Sequence, residues 1–418
     1  MKSESFDQKT LTHGLKNFGY STAEAIADII DNSIEANAKN IEILFWEGIP
    51  APWIAVIDDG DGMSKVELEN AIKIKKKQNT NSNSIKLSKF GFGLKTASFS
   101  QCAKINIITK KNNQTNLKVL KSNLKTEDAG LISIFKKFKY IEKKFNERCA
   151  RSGTIIIWEN LDDNITGKNI NTHRPHAIFY EKGKIFSEHA ATHFHHFFDK
   201  IKIYYNGIPL AKWDPFNENL KNLKIFDKKK IKVGDYYITI QGYVYPKEDD
   251  FDNIELYEKI AGPVGWFDSQ GIYLYRENRL LTHGGWFGLR LNGSNPWQKE
   301  TRFEKCRITL HYDSRLDHYF RPNIQKNTSE IPALIRHQVA MYCDEVRSSC
   351  LKKKSPKTNT IELIEESEGM LNQGDNGKTE LNLNHPNIDI LINKNLSPKK
   401  REFILSQISK EIKKINNA

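Results

Sequence analysis

"AEAIADIIDNSIEANA", residues 23–38, is the stretch on which the reading of this chain turns. Ile26, Ile29, Ile30 and Ile34 recur at helical spacing, which predicts a helix over 21–38 with one stripe against a core and Ser21 or Thr22 as its N-cap. Asp28, Asp31 and Asn32 are set among those isoleucines. Asp28 and Asn32 are four apart and project from one face, stacked one turn over the other, with Glu24 a turn earlier. A carboxylate and an amide oxygen so placed suit a pair in which one orients a water for attack and the other holds a hard cation. An ordinary amphipathic helix also carries Asp and Asn on its wet side, so the segments that follow decide between the two readings.

Outward from the helix, "IEILF" (41–45) alternates like a half-buried strand, and "WIAVI" (53–57) is a continuous apolar run of the kind a central strand shows. "VIDDGDGM" (56–63) then puts Asp58 at a strand end, followed by Gly60 and Gly62 for a turn that side chains would block. A carboxylate fixed there can accept a hydrogen bond from the exocyclic amine of adenine. Residues 73–89 are polar, rich in Lys, Asn and Ser, with little apolar periodicity. In "KFGFGLKTAS" (89–98), Gly91 and Gly93 free backbone N–H groups to face an anion, the following helix offers its N-terminus, and Lys95 adds a point charge. This is neither the G-x-x-x-x-G-K-[ST] loop nor a Rossmann turn. "SGTIIIWENL" (152–161) steps through Thr154 into a buried strand, where its hydroxyl could reach the adenine side of a pocket. Strands mixed with helices, without strict alternation, predict an α+β sandwich with helices on one face of a mixed sheet.

These four motifs, in this order and spacing, resemble those of the GHKL ATPases, the superfamily of gyrase B, the ninety-kilodalton heat-shock chaperones, sensor histidine kinases, MutL and MORC proteins. The resemblance covers residues 10–200 by motif and reaches more weakly to about 345, where the chain is similar to the transducer domain of gyrase, MutL and MORC. It implies a Bergerat-type ATPase sandwich that binds ATP and Mg2+. By the resemblance, Asn32 coordinates magnesium, Asp58 binds the adenine amine, and Gly60, Gly62, Met63 and Leu94 belong to the nucleotide pocket. Gly91, Gly93 and Lys95 hold phosphates, residues 73–90 form the ATP lid, and Thr154 supports Asp58 or a water at the base. MutL and MORC proteins usually carry Glu where this chain has Asp28 as general base, so its carboxylate reaches about 1.5 Å less far. Glu24 is a poor substitute, a full turn of about 5.4 Å away. "DHYFRPNIQKNTSEIP" (317–332) resembles the family segment whose lysine reaches back to the γ-phosphate, which assigns that role to Lys326. "GIYLYRENRLL" and "GGWFGL" are similar to prokaryotic MutL/MORC-like ATPases found with restriction-modification or phage-defence systems.

The expected organisation is an ATP-binding domain over 1–200, a strand-rich, transducer-like domain over 201–350, a flexible linker over 351–396 and a C-terminal helix over 397–418. That last helix, N-capped by Ser397, carries Phe403, Ile404, Ile408, Ile412 and Ile415 at helical spacing, suited to a partner or a dimer. The chain has 418 residues and a net charge of +13. That charge fits an anionic partner, non-specific DNA above all, although an AT-rich genome would enrich lysine equally. Five scattered cysteines without a C-x-x-C pair fit reduced thiols in a cytoplasm rather than zinc or disulfides. No apolar run is long enough for a membrane span, and "MKSESFDQKT" lacks a signal peptide's apolar stretch. The histidine-dense "EHAATHFHHFF" (188–198) reads as a packed helix with some exposed histidines rather than a metal site. The leading function is a slow, ATP-gated homodimeric clamp or switch in DNA handling, with any DNA cleavage left to a partner nuclease. A chaperone-like remodelling ATPase is the alternative, and a histidine kinase would need an upstream phosphoacceptor hairpin.

Overall fold

The computed structural model describes residues 19–48, 51–72, 93–122, 125–127, 129–167, 175–291, 293–323, 325–326, 329–351, 369–373, 379–393 and 398–416. The opening helix, Thr22–Glu35 (α1), starts with a reciprocal cap: the Ser21 hydroxyl accepts from the Glu24 N–H, and the Glu24 carboxylate accepts from the Ser21 N–H. This commits Glu24 to the helix start. Ile26, Ile29 and Ile30 are fully buried, each stabilising the fold by about 1.5–3 kcal/mol relative to exposure.

The strands Asn40–Trp46 (β1), Trp53–Asp58 (β2), Cys102–Lys111 (β3), Gln114–Lys121 (β4), Thr126–Glu127 (β5), Gly153–Leu161 (β6), Lys202–Tyr205 (β7) and Ile208–Pro209 (β8) form one mixed sheet. Its order is β5-β4-β3-β6-β2-β1-β7-β8, antiparallel throughout except for the β1/β7 pair. Two short helices, Lys65–Ile72 (α2) and Gly93–Phe99 (α3), flank the stretch between β2 and β3. Lys202–Tyr205, assigned from sequence to the second region, completes the first sheet instead, so the first layer runs to Pro209.

Helices cover both faces of this sheet, not one. Ile54, Val56, Ile156 and Trp158 point into a core with α1 and with the helix Pro175–His193. Their neighbours Trp53, Ala55, Ile57, Ile155 and Ile157 point into a second core. That core is closed by Leu131–Lys137 (α4) and Lys139–Arg148 (α5) through Ile134, Phe138, Ile141 and Phe145. The expectation of a single covered face is therefore corrected. The physical reason was present in "WIAVI" and "TIIIW": strands buried on both sides do not alternate. Next come the single turn Asp163–Thr166 (α6) and the helix Pro175–His193 (α7).

The second sheet comprises Lys224–Ile225 (β9), Lys229–Val233 (β10), Tyr236–Val244 (β11), Gly271–Arg276 (β12), Arg279–His283 (β13) and Cys306–Tyr312 (β14). Its order is β10-β11-β14-β12-β13, with β9 also on β11 and a parallel β12/β14 pair. The helix Ala333–Leu351 packs Val339, Cys343 and Val346 on one face. The other face is aromatic, with Tyr243, Tyr273, Tyr275 and Trp266. Between the sheets, His195 Nε2 lies 3.2 Å from the Tyr275 hydroxyl, His193 sits edge-on to His283, and Arg279 lies over the Phe194 ring. The histidine-dense segment is thus the end of a packed helix, with His195 buried and His196 exposed. Among the described residues no group of His, Cys, Asp and Glu is arranged to hold a metal, and no helix is long and apolar enough to cross a membrane. All five cysteines are free thiols.

Residues 352–418 form a separate compact unit. Part of the expected linker is ordered there: Leu371–Gln373 pairs with Thr379–Leu381, and Pro386–Asn393 is a helix. The last helix, Pro398–Asn416, buries Ile404, Gln407 and Glu411, with Gln407 accepting from Asn387 and Glu411 from the Gly369 N–H. Phe403 and Ile412 lie on its exposed side, so the expected stripe is split between two faces. Ser397 lies outside the described residues.

Candidate active site

Helix α1 carries polar side chains at two places, and each holds a buried carboxylate. Nearer its start, Asp28 and Asp31 are three residues apart and so share a face. Lys326, from the segment after the second sheet, donates to both: its Nζ lies 2.9 Å from Asp28 Oδ1 and 2.7 Å from Asp31 Oδ2. Asp28 Oδ2 accepts the Tyr20 hydroxyl at 2.7 Å, and Asp31 Oδ1 accepts from Arg279 Nε at 3.1 Å. Asp31 is wholly buried, and Asp28, Lys326 and Arg279 nearly so. Lys326 takes a left-handed backbone, φ 56°, which few non-glycine residues adopt and which concentrates at functional sites.

The charges decide how these groups titrate. Burial pushes the Asp28 carboxyl above its ordinary value, against the opposing pull of Lys326 and with a further push from Asp31. Asp31 is subject to the same burial, but the Lys326 and Arg279 charges overcome it and hold it below its ordinary value. Lys326 is raised: burial opposes its charge, and the two carboxylates more than compensate.

Further along α1, Ser33 donates its hydroxyl to Asp58 Oδ2 at 2.9 Å, while Asp58 Oδ1 accepts the Gly60 N–H at 3.0 Å. Among the described residues no cation lies against Asp58, and burial pushes it up to about 6, with the Gly60 and Ser33 hydrogen bonds opposing. Thr154 lies opposite Asp58 in the β2/β6 register, and its hydroxyl is 3.1 Å from that of Thr109, which accepts the Met63 N–H. Gly60 and Gly62 let the loop close on its surroundings. A Cβ on Gly60 would lie 2.6 Å from the Ala36 carbonyl, and one on Gly62, at φ +65°, would lie 1.9 Å from that of Lys110.

The structure therefore brings together Asp28 and Lys326 at one end and Asp58, Gly60, Gly62, Met63 and Thr154 at the other. Gly93 closes on the first end, since a Cβ there would sit 3.6 Å from Asp28 Oδ2. Leu94 packs partly buried on the first core. Lys95 is buried and donates to the Ile72 carbonyl at 3.1 Å, and burial lowers it to about 8. Gly91 and the expected lid, 73–90, lie outside the described residues. Asn32 is half-buried, and its side chain makes no hydrogen bond to a described residue. Sequence reasoning gave no role to Asp31, Arg279, Tyr20, Ser33 or Thr109. The signal for Asp31 was a carboxylate inside an isoleucine stripe, which demands a buried cation.

Residues 20–152 match the family model of histidine kinase-, DNA gyrase B- and HSP90-like ATPases. No curated protein matches the chain. The match spans the elements that carry Asp28, Asn32, Asp58 and Gly93, and it supports a GHKL-type ATPase domain there, within a mixed sheet flanked by helices. ATP is the nucleotide such a domain implies.

Proposed function

We propose that the chain is an Mg2+-dependent ATPase that works as an ATP-gated switch between two copies of itself, in DNA handling of the prokaryotic defence or restriction kind. The observation that carries this reading is Lys326. A lysine of the transducer-like region reaches into the ATPase domain and rests on Asp28, the carboxylate placed to act as general base. A group so placed can report the state of one region to the other.

Each residue has a physical part in this reading. Asp58 is an ionisable acceptor at a buried strand end, suited to the exocyclic amine of adenine. Its pairing with Ser33 and Gly60 fixes the carboxylate plane. Asp28, raised by burial, accepts a proton from a water more readily than an exposed carboxylate does. Tyr20 and Lys326 each donate to one of its oxygens, and the Lys326 charge lowers its basicity, so turning Lys326 toward a phosphate strengthens Asp28 as a base. Gly93 keeps the glycine-rich loop against that carboxylate. The donor set fits magnesium held mainly by phosphates: the chain offers the Asn32 amide oxygen and no ready-made cluster of carboxylates among the described residues. Bound there, the ion would spread the charge of the phosphate oxygens.

The net charge of +13 supports DNA as the anionic partner, held through phosphates rather than base edges. The test is ATP hydrolysis with and without Mg2+, followed by light scattering with a non-hydrolysable ATP analogue, with and without duplex DNA. Expected are Mg2+-dependent turnover, an analogue-dependent doubling of mass, and DNA binding that weakens steeply with salt. A chain that hydrolyses ATP yet stays monomeric and ignores DNA retains the ATPase and loses the switch.

A further inference from the structure

Asp31 has no part in the reading above, yet it is the most completely buried carboxylate of the site. Its two oxygens are divided between two cations, Lys326 Nζ on Oδ2 at 2.7 Å and Arg279 Nε on Oδ1 at 3.1 Å. Five side chains thus form one continuous line: Arg279, Asp31, Lys326, Asp28 and Tyr20. Its ionised members number two cations and two anions.

A buried ammonium left without an anion is strongly disfavoured. Lys326 can therefore leave Asp28 only if another anion keeps hold of it, and Asp31 already does so at the shorter of the two distances. We propose that Asp31 is the positioning residue on which Lys326 pivots. It retains the ammonium while Lys326 exchanges Asp28 for an anionic oxygen of the nucleotide, and that exchange frees Asp28 to act. Arg279 extends the device into the second sheet. It sits at the start of β13, donates to the Leu280 carbonyl, lies over Phe194, and compensates the Asp31 oxygen that Lys326 does not use. A shift of β13 thereby changes how firmly Asp31 holds Lys326. The inference rests on the ATPase reading.

The test compares wild type with Asp31→Asn in steady-state hydrolysis of Mg-ATP across a pH series, with thermal melts alongside. Without the second anion, Lys326 stays on Asp28. The expected result is a fall in kcat of about tenfold with KM within about twofold, the pattern of an interaction made outside substrate binding. The acid limb of the kcat profile also moves to lower pH, because a like charge beside Asp28 has gone. If Asp31→Asn does not fold because Arg279 is left unpaired, Asp31→Asn/Arg279→Met removes that cation as well and is read by the same criteria. An unchanged kcat, or a loss of kcat with an unmoved acid limb, overturns the pivot. A wild-type chain that does not hydrolyse Mg-ATP overturns the ATPase reading instead, so the two failures are told apart.

Discussion

Two neighbouring places on helix α1 adjoin buried carboxylates held by opposite means. At Asp28 and Asp31 the negative charge is kept and matched by Lys326 and Arg279. At Asp58 no cation is supplied among the described residues, and the Ser33 hydroxyl with the Gly60 and Thr154 backbone N–H groups holds the carboxylate, so burial raises its pKa to about 6. The first arrangement fixes an ion in place and ties distant parts of the chain together. The second leaves a carboxylate near the balance between acid and anion, able to accept a hydrogen bond from a ligand at neutral pH. One helix thus joins a charge-matched cluster to a cation-free carboxylate, the two features on which the proposed function draws.

The comparison can be broken most strongly at Lys326. Lys326→Met strands Asp28 and Asp31 with one cation between them, and unfolding free energy should fall by about 3–5 kcal/mol, read by denaturant titration. A loss below about 1 kcal/mol would mean that the pairing is not a structural tie. Next, Asp28→Ala should lower ATP turnover about 100-fold while nucleotide affinity changes little, as expected for loss of a general base; single-turnover hydrolysis and equilibrium binding separate the two. At the other place, Asp58→Asn should weaken ATP about tenfold and GTP less, since an amide can present donors where the amine needs an acceptor. Equal losses for both nucleotides would mean a collapsed pocket.

Acidity sharpens the contrast because its sign differs between Asp58 and Asp31. Asp58 binds its proton more tightly folded than unfolded, with a pKa of about 6 against 3.8. Its own contribution to stability therefore grows as pH falls below about 6, while ATP affinity measured by calorimetry should decline over the same range. Asp31 is held below 3.8 in the fold, so its contribution is present above that value and is lost as pH falls beneath it. The smallest effect should come from Ser33→Ala, which removes one hydrogen bond to Asp58 and should cost about 1 kcal/mol in a thermal melt.

Much of this was legible in the sequence where the signal is local. The Ser21 cap, the Ile26–Ile29–Ile30 stripe, the buried strand ending in Asp58 and the turn glycines all follow from spacing and residue type, and the structure places them as that chemistry requires. Lys326 was reached only through resemblance, and its arrival at Asp28, 298 positions earlier in the chain, is a tertiary fact. Arg279 was invisible for the same reason: nothing near "RENRLL" says that its guanidinium lies against a helix 248 positions away. Helices α4 and α5 were missed because "KKFKYIEKKF" reads as solvated charge, while its few apolar residues seal the far face of the sheet. β7 was misassigned because its neighbour in the sheet, β1, lies 162 positions earlier in the chain (Asn40 opposite Lys202).

The first sheet also ends on both sides in strands only two residues long, β5 with Glu127 and β8 with Pro209. A visiting strand would find room for a hydrogen bond or two at either margin, and at β8 a proline without an N–H to give. Extension of the ladder from one molecule to the next is thereby discouraged, and with it the simplest route to fibrous aggregation. Copies that meet along the margins of this sheet would do so through side chains, which can let go again.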